Sequence, residues 1–321
     1  MRSRLRAKLS GGLCAVLPIA ISIRKEALTM TGLVLEGGTF RGIFSAGVMD
    51  AFIEKNIEFP YIIGVSAGIS NAASYVSKQF GRNIEILRKY RNDPRYLGVG
   101  NYRKCGSLFG LDFVYDEIPN RLVPFDYDTY HRYSGRFLVG VTDAETGKLD
   151  CFDGISDTDK WLDLRASCAI PGYFPPIMLN GRAYYDGGLS SPICVGRAFK
   201  DGCDRAVVIL TQPEGFVKKC GAGNVFMSGV IGRRFPNIEN DLLIRHRIYN
   251  RQLELCKRLE EKGKILLFRP SEKLESFQSD VSELERYWEM GYKLGIENAE
   301  RVKDFLGADG KRSYYDAELD R

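Results

Sequence analysis

Histidine is nearly missing from this chain: its 321 residues contain two, His131 and His246. Any serine–histidine–acid triad would have to use one of them. Paired cysteine motifs are also missing. The eight cysteines (Cys14, Cys105, Cys151, Cys168, Cys194, Cys203, Cys220 and Cys256) include no Cys-x-x-Cys pair. That spacing excludes a structural zinc site of the usual kind and points to a reducing compartment, hence the cytoplasm. Excess charge is lacking over most of the length. The formal +5 resides in the first 30 residues, where Arg2, Arg4, Arg6, Lys8, Arg24 and Lys25 face Glu26 alone, leaving 40 basic and 40 acidic side chains in the remainder. A neutral body of this kind excludes a broad nucleic-acid-binding surface. The uncharged run at residues 9–23 falls short of the roughly 20 residues that span a bilayer.

That N-terminal segment has three readings. Basic residues followed by an apolar run resemble the start of a secretory signal, though with a weak cleavage pattern. The segment also suits a membrane interface, so export and membrane association both stay open. Alternatively Met30, directly before the first convincing strand, is the true start, and residues 1–29 are an extension. From Met30 onward no internal repeat or low-complexity linker divides the chain. With 44% apolar residues it can bury a substantial core, and residues 30–321 read as one domain.

The pentapeptide Gly64-Val65-Ser66-Ala67-Gly68 organises this domain. A short apolar strand precedes it and a run of small residues suited to a tightly packed helix follows. Strand, sharp turn and helix form the context in which a serine is held as a nucleophile. Side chains at Gly64 and Gly68 would collide across such a turn, and the helix aims its free N–H groups at the serine. Elsewhere, strand signals at 31–36, 136–142, 148–152, 183–185, 205–210 and 265–269 alternate with helical ones. The helical patterns cover 43–55 (amphipathic), 83–92, 113–121, 238–262 and 281–306. This alternation predicts an α/β fold with a largely parallel sheet covered on both faces.

Two further stretches carry chemistry. Glu36-Gly37-Gly38-Thr39-Phe40-Arg41-Gly42 lies between the first strand and the first helix. It fits neither a Walker loop nor a Gly-x-Gly-x-x-Gly dinucleotide loop. It reads as an oxyanion hole made of peptide N–H groups, with a purely structural turn as the competing reading. Arg41 either steadies the loop or meets an anionic head group; steadying is favoured. Asp186-Gly187-Gly188 ends a short strand and offers Asp186 as the base for Ser66, or else forms a plain surface turn. His246 follows Asp186 in the order an α/β-hydrolase would need. It lies, however, on a helical stripe with Leu242, Tyr249, Leu253 and Cys256, where a partnered histidine is the expected reading. The balance favours a serine–aspartate dyad, with a triad esterase through His246 as the alternative.

These blocks, together with Ala166-Ser167-Cys168-Ala169-Ile170-Pro171-Gly172-Tyr173-Phe174-Pro175-Pro176, resemble the patatin-like phospholipases in order and type, over residues 31–192. The C-terminal part resembles that of the bacterial members. The resemblance implies a three-layer α/β/α fold around a mostly parallel sheet. It also implies acyl-ester hydrolysis on lipids, of phospholipase A, lysophospholipase or esterase type, with no metal or organic cofactor. By matching positions, Ser66 is the nucleophile and Asp186 the base. The N–H groups of Gly37, Gly38 and Thr39, joined by Ala67, form the oxyanion hole, and Arg41, Gly42, Gly64, Gly68, Gly187 and Gly188 support it. Thr39 stands where the family usually has glycine, which bears on the rate. It also gives the rival reading, a non-catalytic lipid-binding protein, its one support. A lipid substrate calls for an apolar channel, and residues 174–179 are a candidate wall that core packing explains equally well. Residues 215–234 read either as a flap making peripheral contact with a membrane or as a solvated loop over the core.

Overall fold

The computed structural model describes residues 30–156 and 160–315, so the expectations for residues 1–29 lie outside it. The first half runs β1 (Thr31–Leu35), α1 (Gly42–Glu54), β2 (Tyr61–Val65), α2 (Ala67–Val76), α3 (Arg82–Tyr90) and α4 (Val99–Cys105). A π-helical stretch, Phe113–Leu122, and α5 (Tyr127–His131) lead into β3 (Arg136–Asp143) and β4 (Leu149–Asp153). Next come α6 (Leu162–Ser167), β5 (Ile177–Leu179), β6 (Arg182–Asp186), α7 (Val195–Lys200) and β7 (Arg205–Ile209). The chain closes with α8 (Ala222–Ile231), α9 (Pro236–Glu261), β8 (Ile265–Phe268), α10 (Val281–Glu297) and α11 (Ala299–Leu306).

Hydrogen bonding links the strands along the path β5-β6-β3-β2-β1-β7-β8, and β4 also pairs with β3. Strands β3, β2, β1, β7 and β8 run parallel; β4 and β6 each pair antiparallel with β3, and β5 pairs antiparallel with β6. The uninterrupted apolar runs of β1 and β7 follow from burial on both faces. Alternation along each strand divides the core in two. Leu33, Leu35, Ile62, Val207 and Ile209 point into one cluster, and Val34, Ile63, Val65 and Val208 into the other. Residues of α1, α2, α10 and α11 cover the first face, and α7 and α9 cover the second. Helices on both sides of a mostly parallel sheet make the three-layer α/β/α architecture.

Helix α1 departs from the amphipathic pattern expected of it: residues 42–52 are buried throughout. The sheet covers one side and α10 the other. The two helices meet backbone to backbone through Gly47, Gly291 and Gly295, where any Cβ would run into main-chain or Cβ atoms of the partner helix. The closing helical pattern at 281–306 is broken at Asn298 into α10 and α11. Residues 215–234 contain a helix, α8, in place of a loop. The other predicted strands and helices fall within a few residues of their expected positions.

Candidate active site

The site is built where two strands meet end to end on one edge of β3. Strands β4 and β6 both pair with Val141 and Thr142, so they flank β3 on opposite edges, and β2 shares the β6 edge. On that edge Val65, the last residue of β2, faces Gly140, while Asp186, the last residue of β6, faces Val141. The carboxyl ends of two strands 121 residues apart in sequence are thereby brought to adjacent positions. Glycine at 187 is required for this approach, because a Cβ there would collide with the Gly140 carbonyl and Val65. Neither Gly187 nor Gly188 has a positive φ, so close packing, not unusual backbone angles, explains the pair.

Ser66 follows β2 in a sharp turn with φ 55° and ψ −138°, a region that side chains resist at a cost of roughly 1–3 kcal/mol. Its neighbours hold it there. The Ser66 N–H donates to Ser167 Oγ at 2.8 Å, and Ser167 Oγ donates to the Gly140 carbonyl at 2.7 Å. Ser167 stands in the 166–176 block, and nothing in its local pattern marks a residue that acts across the sheet. Glycines 64 and 68 are needed against β1 and not across the turn. A Cβ at 64 would meet Leu35 Cβ at 2.8 Å, and one at 68 would meet the Glu36 carbonyl at 2.5 Å. A Cβ at Gly42 would meet Ala67 Cβ at 2.9 Å.

Asp186 is buried, 4% exposed. Its Oδ1 accepts from the Gly188 N–H at 2.7 Å, and its peptide is fixed by Thr142 Oγ1 and the Ala169 carbonyl. Burial pushes the Asp186 carboxyl above its ordinary range. Arg245, the Gly188 N–H, the Ser66 hydroxyl and Lys218 pull the other way. The structure thus brings Ser66 and Asp186 together. His246 is not among the residues lining their cleft, and its buried Nδ1 has no hydrogen-bond partner, contrary to the expected partnered histidine. His131 closes α5, away from the site.

The loop at 37–39 lies against the serine: a Cβ at Gly37 would meet Ser66 Cβ at 2.8 Å. Among the described residues, no protein oxygen accepts from the N–H groups of Gly37, Gly38 or Thr39. Ala67, first in α2, also has an N–H without an intrahelical partner. Thr39 takes the left-handed angle, φ 52°, that glycine usually supplies. Its hydroxyl contacts the carbonyls of Gly38 and Ser276 at 2.6 Å each, and the Phe40 N–H donates to the same Ser276 carbonyl. The 270–280 segment thereby holds the loop open. Buried Glu36 braces its base, accepting from the Thr211 N–H at 2.7 Å and the Tyr249 hydroxyl at 3.0 Å. Arg41 bonds Thr211 Oγ1 and Ser276 Oγ.

Two cavities meet at Thr39, Ser66 and Ile170. One, of about 180 Å³, is mostly apolar and lined by Phe40, Ile43, Leu87, Phe109, Trp161 and Phe174 among others. Of the wall expected at residues 174–179, only Phe174 takes part; Met178 is exposed on β5. The other, about 450 Å³, is a polar cleft holding Asp186, Glu36, Arg41, Lys218, Arg245 and Tyr249. Tyr173, Phe226 and Phe277 line its exposed parts. No group of histidine, cysteine or carboxylate side chains suited to a metal occurs among the described residues.

A serine in a strained turn at a strand end, a carboxylate beside it and a glycine loop against it are set in a three-layer α/β/α fold. The family profile described as Patatin-like phospholipase matches residues 33–199, and the chain belongs to that family. A second profile, a domain of unknown function (DUF6363), matches residues 235–307. An uncharacterized protein, YjjU, of Escherichia coli (strain K12) is 32% identical over 200 residues, 60% of this chain and 55% of that one. Lysophospholipase NTE1 of Coccidioides immitis (strain RS) is 24% identical over 303 residues, 85% of this chain and 18% of that one. The chain therefore spans about half, or much less, of the length of these relatives. VipD from Legionella pneumophila is similar at TM-score 0.42 and 13% identity, over 85% of this chain and 67% of that one.

Proposed function

We propose that this protein hydrolyses acyl esters of lipids through a Ser66–Asp186 dyad, with lysophospholipids as the substrate class. The observation that carries the reading is the junction itself. A strained serine and a buried carboxylate stand on adjacent positions of one strand edge, where an apolar cavity opens into a polar cleft. The lysophospholipase names of the fungal relatives support the substrate class.

Asp186 accepts the Ser66 proton as Oγ attacks the ester carbonyl. A carboxyl raised above its ordinary range is better matched to that task than a fully solvated one. The N–H groups of Gly37, Gly38, Thr39 and Ala67 receive the developing oxyanion. The proton passes from Asp186 to the departing alcohol, leaving an acyl-enzyme. Water, deprotonated by Asp186, then releases the fatty acid. No step calls for a cofactor. The left-handed backbone of Thr39 weighs against the non-catalytic lipid-binding alternative, since the loop keeps its shape without the third glycine.

Residues 30–321 act as one catalytic unit in this reading, because β8 extends the sheet and α9 lines the cleft. The exposed apolar side chains of α8, with Phe226 72% exposed beside the cleft, support peripheral contact with a membrane. Among the described residues no helix is long and apolar enough to cross one. The free thiols of Cys151, Cys168, Cys194, Cys203, Cys220 and Cys256 fit a reducing compartment such as the cytoplasm.

Release of fatty acid from a lysophospholipid tests the proposal. Ser66→Ala is expected to abolish it, and Asp186→Asn to reduce it by about 10³-fold or more, whereas His246→Gln leaves turnover largely intact. Activity surviving in Ser66→Ala removes the serine from the mechanism. A loss of about 10³-fold in His246→Gln reinstates the triad.

A further inference from the structure

Five charged side chains line the polar cleft: Glu36 and Asp186 against Arg41, Lys218 and Arg245. Three cations face two carboxylates, and the carboxylates are otherwise engaged. Glu36 gives its oxygens to the Thr211 N–H and the Tyr249 hydroxyl, and Asp186 Oδ1 takes the Gly188 N–H. Among the described residues, no salt bridge engages any of the three cations. Arg41 is held by Thr211 and Ser276. Lys218 and Arg245 are different. Arg245 spends only Nε, on the Gly188 carbonyl at 2.8 Å. The Lys218 ammonium lies 4.8 Å from the centre of the Tyr249 ring. Tyr249 is one turn along α9 from Arg245, on the same face.

The Asn250 side-chain amide ties the Lys218 segment to α9: its Oδ1 accepts from the Lys218 N–H at 2.9 Å and its Nδ2 donates to the Lys218 carbonyl at 3.0 Å. Burial, and then the like charge of Arg245, lower the Lys218 ammonium to about 8. Two half-buried cations that make no salt bridge, and feel Asp186 and Glu36 only at longer range, can take a further anion.

We infer that Lys218 and Arg245 form a subsite for the phosphate of a glycerophospholipid, so that the cleft takes the phosphoglycerol side of the ester and the apolar cavity its acyl chain. The inference rests on the hydrolase reading above. It also assigns work to the segment matched by the domain of unknown function, since Arg245 and Tyr249 belong to residues 235–307. Charge-assisted, two-point contact with a phosphate is the chemistry that this geometry offers. Free phosphate and a lipid phosphate share it, and the experiment separates them.

Two substrates with the same acyl chain, 1-acylglycerol 3-phosphate and 1-monoacylglycerol, are compared below their aggregation concentrations. The wild type is expected to favour the phosphate-bearing ester. In Lys218→Met, which keeps the apolar stem and drops the charge, the ratio of the two kcat/KM values falls about tenfold or more through KM, and Lys218→Arg restores most of it. The ratio is the readout because any effect of the lost charge on Asp186 is common to both substrates. An unchanged ratio in Lys218→Met overturns the subsite.

Glycerol 3-phosphate and inorganic phosphate are each tested as competitors. Stronger competition by the glycerol ester supports a lipid phosphate as the occupant, whereas equal competition marks a site for free phosphate and overturns that part of the claim. If the wild type hydrolyses neither ester, the hydrolase reading fails by itself. Calorimetry then decides the subsite: glycerol 3-phosphate binding that is lost in Lys218→Met sustains it, and no binding to the wild type ends it.

Discussion

Ser66 holds its hydroxyl in position at the expense of its own backbone, with φ at 55° where only glycine is comfortable. Ser66→Gly is therefore expected to raise stability by about 1 kcal/mol while removing activity, measured as the shift in denaturation midpoint. Asp186 gives a pH prediction. Its carboxyl is raised by burial, so the ionised base exists only above that raised pKa, and the acid limb of kcat/KM falls above the ordinary aspartate range. Arg245 lowers it, so Arg245→Gln moves the limb to still higher pH; a limb that stays put removes Asp186 as the titrating base. The same shift has a stability consequence. A carboxyl raised on folding contributes stability below its unfolded pKa, and that contribution is lost as pH rises through the folded one. Asp186→Asn therefore gains on the wild type at neutral pH and not at strongly acid pH. At Thr39 two effects oppose each other. Thr39→Gly removes left-handed strain and a hydroxyl anchor together and stays within about 1 kcal/mol of the wild type. Thr39→Ala keeps the strain, loses the anchor and falls about 1–2 kcal/mol. Ser66 and Asp186 were legible because each sits in a glycine-flanked motif. Ser167, Lys218 and Arg245 were not legible, because a side chain that acts across a sheet or cleft leaves no spacing in the chain.

At the scale of elements, the contact between α1 and α10 rests on three glycines that let two backbones touch. Gly291→Val would force the helices apart, with a destabilisation of about 3 kcal/mol expected in chemical denaturation; a variant as stable as the wild type contradicts the contact. This pairing also explains what periodicity could not supply. Helix α1 is buried all round, so no polar face records its position, and its amphipathic reading failed for that reason. The break at Asn298 was hidden because α10 and α11 continue one apolar rhythm with no proline or glycine between them. The β3–β4 hairpin was legible, since Asp143-Ala144-Glu145-Thr146-Gly147 carries its turn chemistry locally. Strand order was not, because parallel pairing joins segments with no adjacent sequence mark.

Across the whole molecule, charge and apolar surface are distributed around one opening. The cationic cleft lies inside, and Val225, Phe226 and Val230 stand 51–72% exposed on α8 beside it. Val225→Ser combined with Val230→Ser is expected to reduce hydrolysis of lipid presented in anionic vesicles several-fold, while hydrolysis of a monomeric short-chain ester stays within about twofold. Equal losses on both substrates would assign α8 to folding and not to the membrane. Hydrolysis through Ser66 requires a covalent acyl bond to one side chain. It is tested most directly by rapid quenching of the enzyme with a lysophospholipid, followed by intact-mass and peptide analysis. An added acyl mass mapped to Ser66, and absent from Ser66→Ala, is the expected result. Steady release of fatty acid with no acyl adduct on Ser66 at any quench time, and undiminished release by Ser66→Ala, would contradict it.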